Sequence, residues 1–192
     1  MTDVVLFHHI QGLTLGVRSF AAQLAGTEHT VSTPDLYDGR TFDTLDDGFA
    51  YMKSLDAAAV DHQVDDLVAT LAGPVVYAGI SWGVTHAQRL AQTHPEARGA
   101  LLFEACYRLG EDNFGTWPKG LPVQVHGMDQ DQFFALEGDL AAARELVAAT
   151  DDGEVFTYPG DQHLFVDSTF PSYDPTATAA VIARARDLLG RL

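Results

Sequence analysis

The chain has 192 residues, 46% of them hydrophobic, and a formal net charge of −16. That length suits one domain with one core and leaves little room for a second. So acidic a surface repels nucleic acid and anionic membranes, which both demand Lys and Arg against phosphate, and no stretch approaches the roughly 18 apolar residues of a membrane span.

The start, Met1-Thr2-Asp3, lacks the basic opening of a secretory leader, and the apolar run 4–7 is too short for its hydrophobic stretch. The one cysteine, Cys106, has no partner for an internal disulfide. A cytoplasmic protein is expected on both grounds. The acids are spread along the chain, as in a solubilising surface.

Taken in order, the chain reads as alternating strand and helix. Residues 4–7 (VVLF) form a short continuous apolar run, the mark of a strand buried on both faces. A helix is expected around 17–24, then a strand near 29–33 that ends at Pro34. Residues 42–71 carry apolar residues at helical spacing, with Gly48 as an expected interruption and Gly73-Pro74 as the break. A strand at 75–78 runs into Gly79-Ile80-Ser81-Trp82-Gly83 and a helix at 84–92. Then come a strand at 100–103, a Gly-, Pro- and aromatic-rich loop at 109–120, and a strand at 122–126. A helix at 140–149, a strand at 155–158 and a helix at 176–189 close the chain. The pattern predicts a single α/β domain over 1–192, with about six mainly parallel strands in the order 2-1-3-4-5-6 and helices on both faces. In such sheets the chemistry sits just beyond the carboxyl ends of the strands.

Gly79-Ile80-Ser81-Trp82-Gly83 lies at such an end. Gly-x-Ser-x-Gly between strand and helix is a nucleophile elbow: a sharp turn lifts the serine hydroxyl above the sheet, near the positive end of the helix. The bare pattern is weak, and its strand–helix context carries it. A serine nucleophile needs a base and an acid to orient the base. In this fold they follow in the order acid, then histidine. Asp129 and Asp131 follow the strand at 122–126, and His163 follows the strand at 155–158. Asp131 is favoured for its aromatic neighbour two residues on, with Asp129 as the alternative, and Asp161 reads as shaping the turn before His163. His29, His62 and His94 read as solvent-facing, His86 as packing under the site, and His126 as a core histidine.

An oxyanion needs two backbone N–H donors. Trp82 and Ile10, in the loop His8-His9-Ile10-Gln11-Gly12, are the candidates. Of His8 and His9, one is expected to face the site, either as a substrate contact or as a core or rim residue. Glu104, Tyr107, Phe133, Trp82 and Trp117 are candidate pocket walls, and Cys106 reads as a buried hydrophobe.

These residues resemble the dienelactone hydrolase family of α/β-hydrolases over nearly the whole chain. The markers are the first loop ending in Gly12, Pro34-Asp35-Leu36-Tyr37, the elbow, the loop from Gly127 to Phe133, and Tyr158-Pro159-Gly160-Asp161-Gln162-His163. The resemblance implies a triad of Ser81, Asp131 and His163, with an oxyanion hole from Ile10 and Trp82. Founding members use cysteine as nucleophile, where this chain has Ser81. They carry a glutamate in the first loop, where registering on Gly12 places His9. They hold the substrate carboxylate with an arginine four residues after the catalytic histidine, a position occupied here by Asp167.

The expectation is therefore a serine hydrolase for a small, neutral ester, lactone or thioester, acting as a monomer or small homo-oligomer. It needs no cofactor and no metal, and has no nucleic-acid or membrane partner. Two rivals are a non-catalytic ligand-binding member of the fold and a metal-dependent hydrolase using His8, His9, His126, Asp129 and Asp131.

Overall fold

The apolar runs pair edge to edge into one sheet in the computed structural model, which describes residues 1–192. The strands are β1 (Asp3–Phe7), β2 (Thr30–Ser32), β3 (Val75–Ile80), β4 (Ala97–Phe103), β5 (Val123–Met128) and β6 (Gly153–Tyr158). Their order is β2-β1-β3-β4-β5-β6, and every neighbouring pair is parallel. The helices are α1 (Leu15–Ala25), α2 (Leu45–Ser54), α3 (Ala57–Val68), α4 (Val84–Thr93), α5 (Asp139–Ala148) and α6 (Pro175–Arg191). None is long and apolar enough to cross a membrane.

Every residue of β3 and of β5 is buried, which explains continuous apolar runs instead of alternation. Successive side chains feed two cores. Val5, Phe7, Val75 and Tyr77 pack with Val64 of α3, Leu90 of α4 and Leu146 of α5. Val4, Leu6, Val76 and Ala78 pack with Phe20 and Leu24 of α1 and Val181 and Leu188 of α6. Each fully buried Leu, Val or Phe stabilises the fold by about 1.5–3 kcal/mol.

One expectation is corrected. The segment 42–71 does break, but Gly48 is not the interruption; it lies inside α2. The break falls at Leu55 and Asp56, where the Asp56 side chain caps α3 by accepting the Ala58 N–H. Gly48 serves close approach instead, since a Cβ there would stand 2.7 Å from the Ile10 carbonyl oxygen. This contact seats α2 against the first loop, over the carboxyl ends of the strands.

Candidate active site

The turn after β3 is tight for a stated reason. Ser81 has φ +50°, a left-handed conformation that costs a non-glycine residue about 1–3 kcal/mol. A Cβ on Gly79 would lie 2.4 Å from Gly83, and one on Gly83 would lie 2.3 Å from the Phe7 carbonyl oxygen. Both motif glycines are thus required by packing: one lets helix meet strand, the other lets the elbow press against β1. Ser81 is thereby lifted to the floor of a cavity of about 380 Å³.

The serine Oγ lies 2.8 Å from His163 Nε2, and His163 Nδ1 lies 2.7 Å from Asp131 Oδ2. Asp131 is fully buried, and its other oxygen accepts the Phe133 N–H at 2.9 Å, opening a π-helical turn over Gln132–Leu136. With Nδ1–H donating to the carboxylate, Nε2 is left to accept from the serine. Burial alone would lower the pKa of His163, but the Asp131 hydrogen bond and the charges of Glu104, Asp131 and Asp139 hold it above its ordinary value. The ring is thus a strong base at the serine.

Asp129 is exposed and braces the loop by accepting the Gly160 N–H at 3.2 Å, so Asp131 is the residue that meets the imidazole. Asp161 is exposed and bonds to Gln162. Ile10, Trp82, Glu104, Tyr107 and Phe133 all line the cavity. The Ile10 N–H donates to no protein acceptor, as an oxyanion donor must not. The Phe133 ring packs 4.8 Å from the His163 ring, and the Tyr107 hydroxyl pairs with Thr85 at 2.7 Å. Glu104 is a special case: it borders the cavity but is only 1% exposed, with φ +64°. Its Oε2 accepts the Leu164 N–H and lies 3.7 Å from His163 Nδ1, while Oε1 has no partner. It turns towards the histidine rather than outward as a substrate contact.

His9 does not contact the cavity. It is fully buried, with Nδ1 accepting the Gln11 N–H at 3.2 Å and Nε2 donating to Asp167 Oδ2 at 2.8 Å. Asp167 is fully buried as well and also accepts from Thr14 and Thr169. The charge expected at the substrate is therefore consumed internally, and Asp167 is not the residue that sets substrate preference. His8 is equally engaged, with the His9 carbonyl at 2.7 Å from Nδ1 and the Leu36 N–H donating to Nε2. Trp117 belongs to the core, its indole N–H donating to the Leu121 carbonyl. Cys106 is buried and its thiol pKa is raised by that burial, so it is no nucleophile.

The metal-binding set does not converge. His126 lies between Tyr158 and Gln124 in the core, its pKa pushed down by burial to about 3, while Asp129 faces solvent. Glu104, Asp131 and His163 do bring ligand atoms within 4.8 Å of one another, but each already has a protein partner.

Sequence reasoning missed two walls. Leu45, Phe49 and Met52 of α2 line one side, and Glu137 and Asp139 line another. The α2 residues stand at i, i+4 and i+7, a stripe whose spacing was visible but whose target was not.

Comparison with known proteins agrees with this geometry. No curated protein matches the chain. Among solved structures, a candidate dienelactone hydrolase from Klebsiella pneumoniae subsp. pneumoniae shares 17% identity at a TM-score of 0.75, covering 100% of this chain and 88% of its own. A dienelactone hydrolase-like promiscuous phosphotriesterase from metagenomic libraries shares 19% at 0.76, covering 100% and 87%. A pyrethroid hydrolase from Sphingobium faniae shares 17% at 0.62, covering 100% and 99%. At such identities these likenesses establish the fold. The profile of the dienelactone hydrolase family matches residues 1–192, and the chain belongs to that family.

Proposed function

We propose that the protein hydrolyses a small carboxylic ester or lactone through an acyl-serine intermediate. One observation carries this reading: the unbroken chain Ser81–His163–Asp131, with its serine on the floor of the cavity. Ser81 Oγ attacks the carbonyl carbon as His163 Nε2 takes its proton. The Ile10 and Trp82 N–H groups hold the oxyanion. The intermediate collapses, and His163 returns the proton to the leaving alcohol. Water, deprotonated by His163, then releases the acid.

A cavity of about 380 Å³ suits a small substrate. Its walls carry Leu45, Phe49, Met52 and Phe133 alongside Glu104, Glu137 and Asp139. The carboxylates of Glu137 and Asp139 on the cavity wall disfavour an anionic acyl group, so the preferred substrate is neutral.

The test is labelling with a fluorophosphonate, followed by a panel of neutral and anionic esters, lactones and one phosphotriester. Wild type is expected to be labelled and to prefer neutral esters. Ser81→Ala is expected to lose labelling and at least about 10³-fold in kcat/KM. Equal turnover of every ester by both proteins would overturn the mechanism.

A further inference from the structure

Glu104 makes contacts that the reaction above does not use. It is the first residue beyond β4, its N–H bonded to the His126 carbonyl at 2.7 Å. Its backbone is left-handed, and so is that of Leu164, at φ +61°. The two strained residues meet, because Glu104 Oε2 accepts the Leu164 N–H. Leu164 directly follows His163, so this bond holds the histidine loop at the residue next to the imidazole. The same oxygen lies 3.7 Å from His163 Nδ1, against 2.7 Å for Asp131. A buried carboxylate with one oxygen unpartnered is costly to keep for packing alone.

We propose that Glu104 is a positioning residue for His163: it fixes the histidine loop through Leu164 and supplies a second negative charge to the imidazolium beside Nδ1. This rests on the serine-hydrolase reading. The charged and titratable groups that act on Glu104 are His163 after β6 and Asp131 after β5; His163 also meets the charge of Asp139 on α5 and of His9 in the first loop. Burial pushes Glu104 up to about 7, so its charge appears in the neutral range, together with the deprotonation of His163. The two groups titrate as a pair.

The test is the pH dependence of the rate at which a fluorophosphonate inactivates the enzyme, which needs no knowledge of the substrate. Glu104→Gln keeps an acceptor for the Leu164 N–H and removes only the charge. Losing a nearby anion lowers the histidine pKa, so the rising limb should move down by about one pH unit and become a single titration. The plateau rate should fall by about tenfold. Glu104→Asp, which keeps the charge, should leave the limb within a few tenths of a unit of wild type. If Glu104→Gln does not fold, wild type carries the readout: its rising limb should fit two ionisations, one for each member of the pair. In an Asp131→Asn background Glu104 is the remaining anion at Nδ1, and adding Glu104→Gln should cost a further tenfold or more. A limb that Glu104→Gln leaves unmoved or, where that variant does not fold, a wild-type limb that fits a single ionisation means that the residue merely packs and overturns the proposal. Failure of the underlying reading looks different: wild type itself would not react with the probe.

Discussion

Two buried histidine–aspartate pairs stand at the carboxyl edge of the sheet, and they differ in what the far ring nitrogen meets. His163 donates from Nδ1 to Asp131 at 2.7 Å, leaving Nε2 for the Ser81 hydroxyl in an open cavity. His9 donates from Nε2 to Asp167 at 2.8 Å, and its Nδ1 is occupied by the Gln11 N–H. The bonds to carboxylate are nearly the same length, so a His–Asp pair alone marks no active site. The pair can do chemistry when the second nitrogen faces a group that can lose a proton. The electrostatics follow. Three carboxylates around His163 overcome its burial and raise its pKa, whereas at His9 burial outweighs Asp167 and the pKa is lowered. His9 therefore stays neutral and works as a tie. With Asp167, Thr14 and Thr169, it joins the first loop, the start of α1 and the segment after His163.

The largest effect that can break this comparison is in activity. Ser81→Ala, which leaves the His163–Asp131 bond intact, is expected to lower kcat/KM by at least about 10³-fold, with little change in the thermal midpoint. His9→Ala is expected to do the reverse. It leaves Asp167 as a buried charge short of a partner and costs about 3–5 kcal/mol, which is about 10 °C in a domain of this size. Activity per folded molecule should drop less than about tenfold, below the loss that removing an oxyanion donor brings. Steady-state kinetics and thermal melts on the two variants check both halves. A His9→Ala enzyme that is inactive but melts like wild type would place His9 in the chemistry.

The next effect is on stability alone. Asp167→Ala removes the hub of the tie, leaves the donors of His9, Thr14 and Thr169 without their acceptor, and should destabilise by about 3 kcal/mol, measured by denaturant unfolding. It leaves the cavity walls untouched, so ester preference should be unchanged between neutral and anionic substrates. A gain in turnover of anionic esters would return Asp167 to the substrate side.

This pair also shows where sequence reasoning succeeds and stops. Ser81, Asp131 and His163 were legible because each lies just past a strand end, in the order the fold demands, and because strand–helix alternation fixes where strand ends gather. The same logic made His9 a candidate for the site, since it too follows a strand, and the family resemblance placed Asp167 beside the substrate. What it lacked was direction. His9 and Asp167 are 158 residues apart in sequence, and no local pattern says that they point at each other. Gly48 failed for a similar reason. Its low helix propensity suggested a break, but a tertiary contact with the Ile10 carbonyl holds it inside α2. The stripe Leu45, Phe49 and Met52 was regular, but only the packing of α2 shows that it faces a cavity.

The smallest effect is the acid response of the tie itself. Burial works against ionised Asp167, but hydrogen bonds from His9, Thr14 and Thr169 prevail and hold it down to about 2. An unfolded aspartate titrates near 3.9, so the unfolded chain takes up this proton first as pH falls. The stabilisation is therefore complete above about pH 4 and is lost as pH falls through about 2. It amounts to about 2.6 kcal/mol at most. Other groups complicate the whole-protein curve. Buried His8 and His86, held near 4, destabilise the fold as pH drops below 6.5, while Glu104, raised from 4.5 to about 7, works the other way. Comparing wild type with Asp167→Asn cancels these shared terms. The stability gap between the two should hold steady from pH 7 to about 4.5 and then shrink towards pH 2. A gap that stays constant to pH 2 would mean that Asp167 is not held ionised by its three donors, and that the tie at His9 is a hydrogen bond between neutral groups.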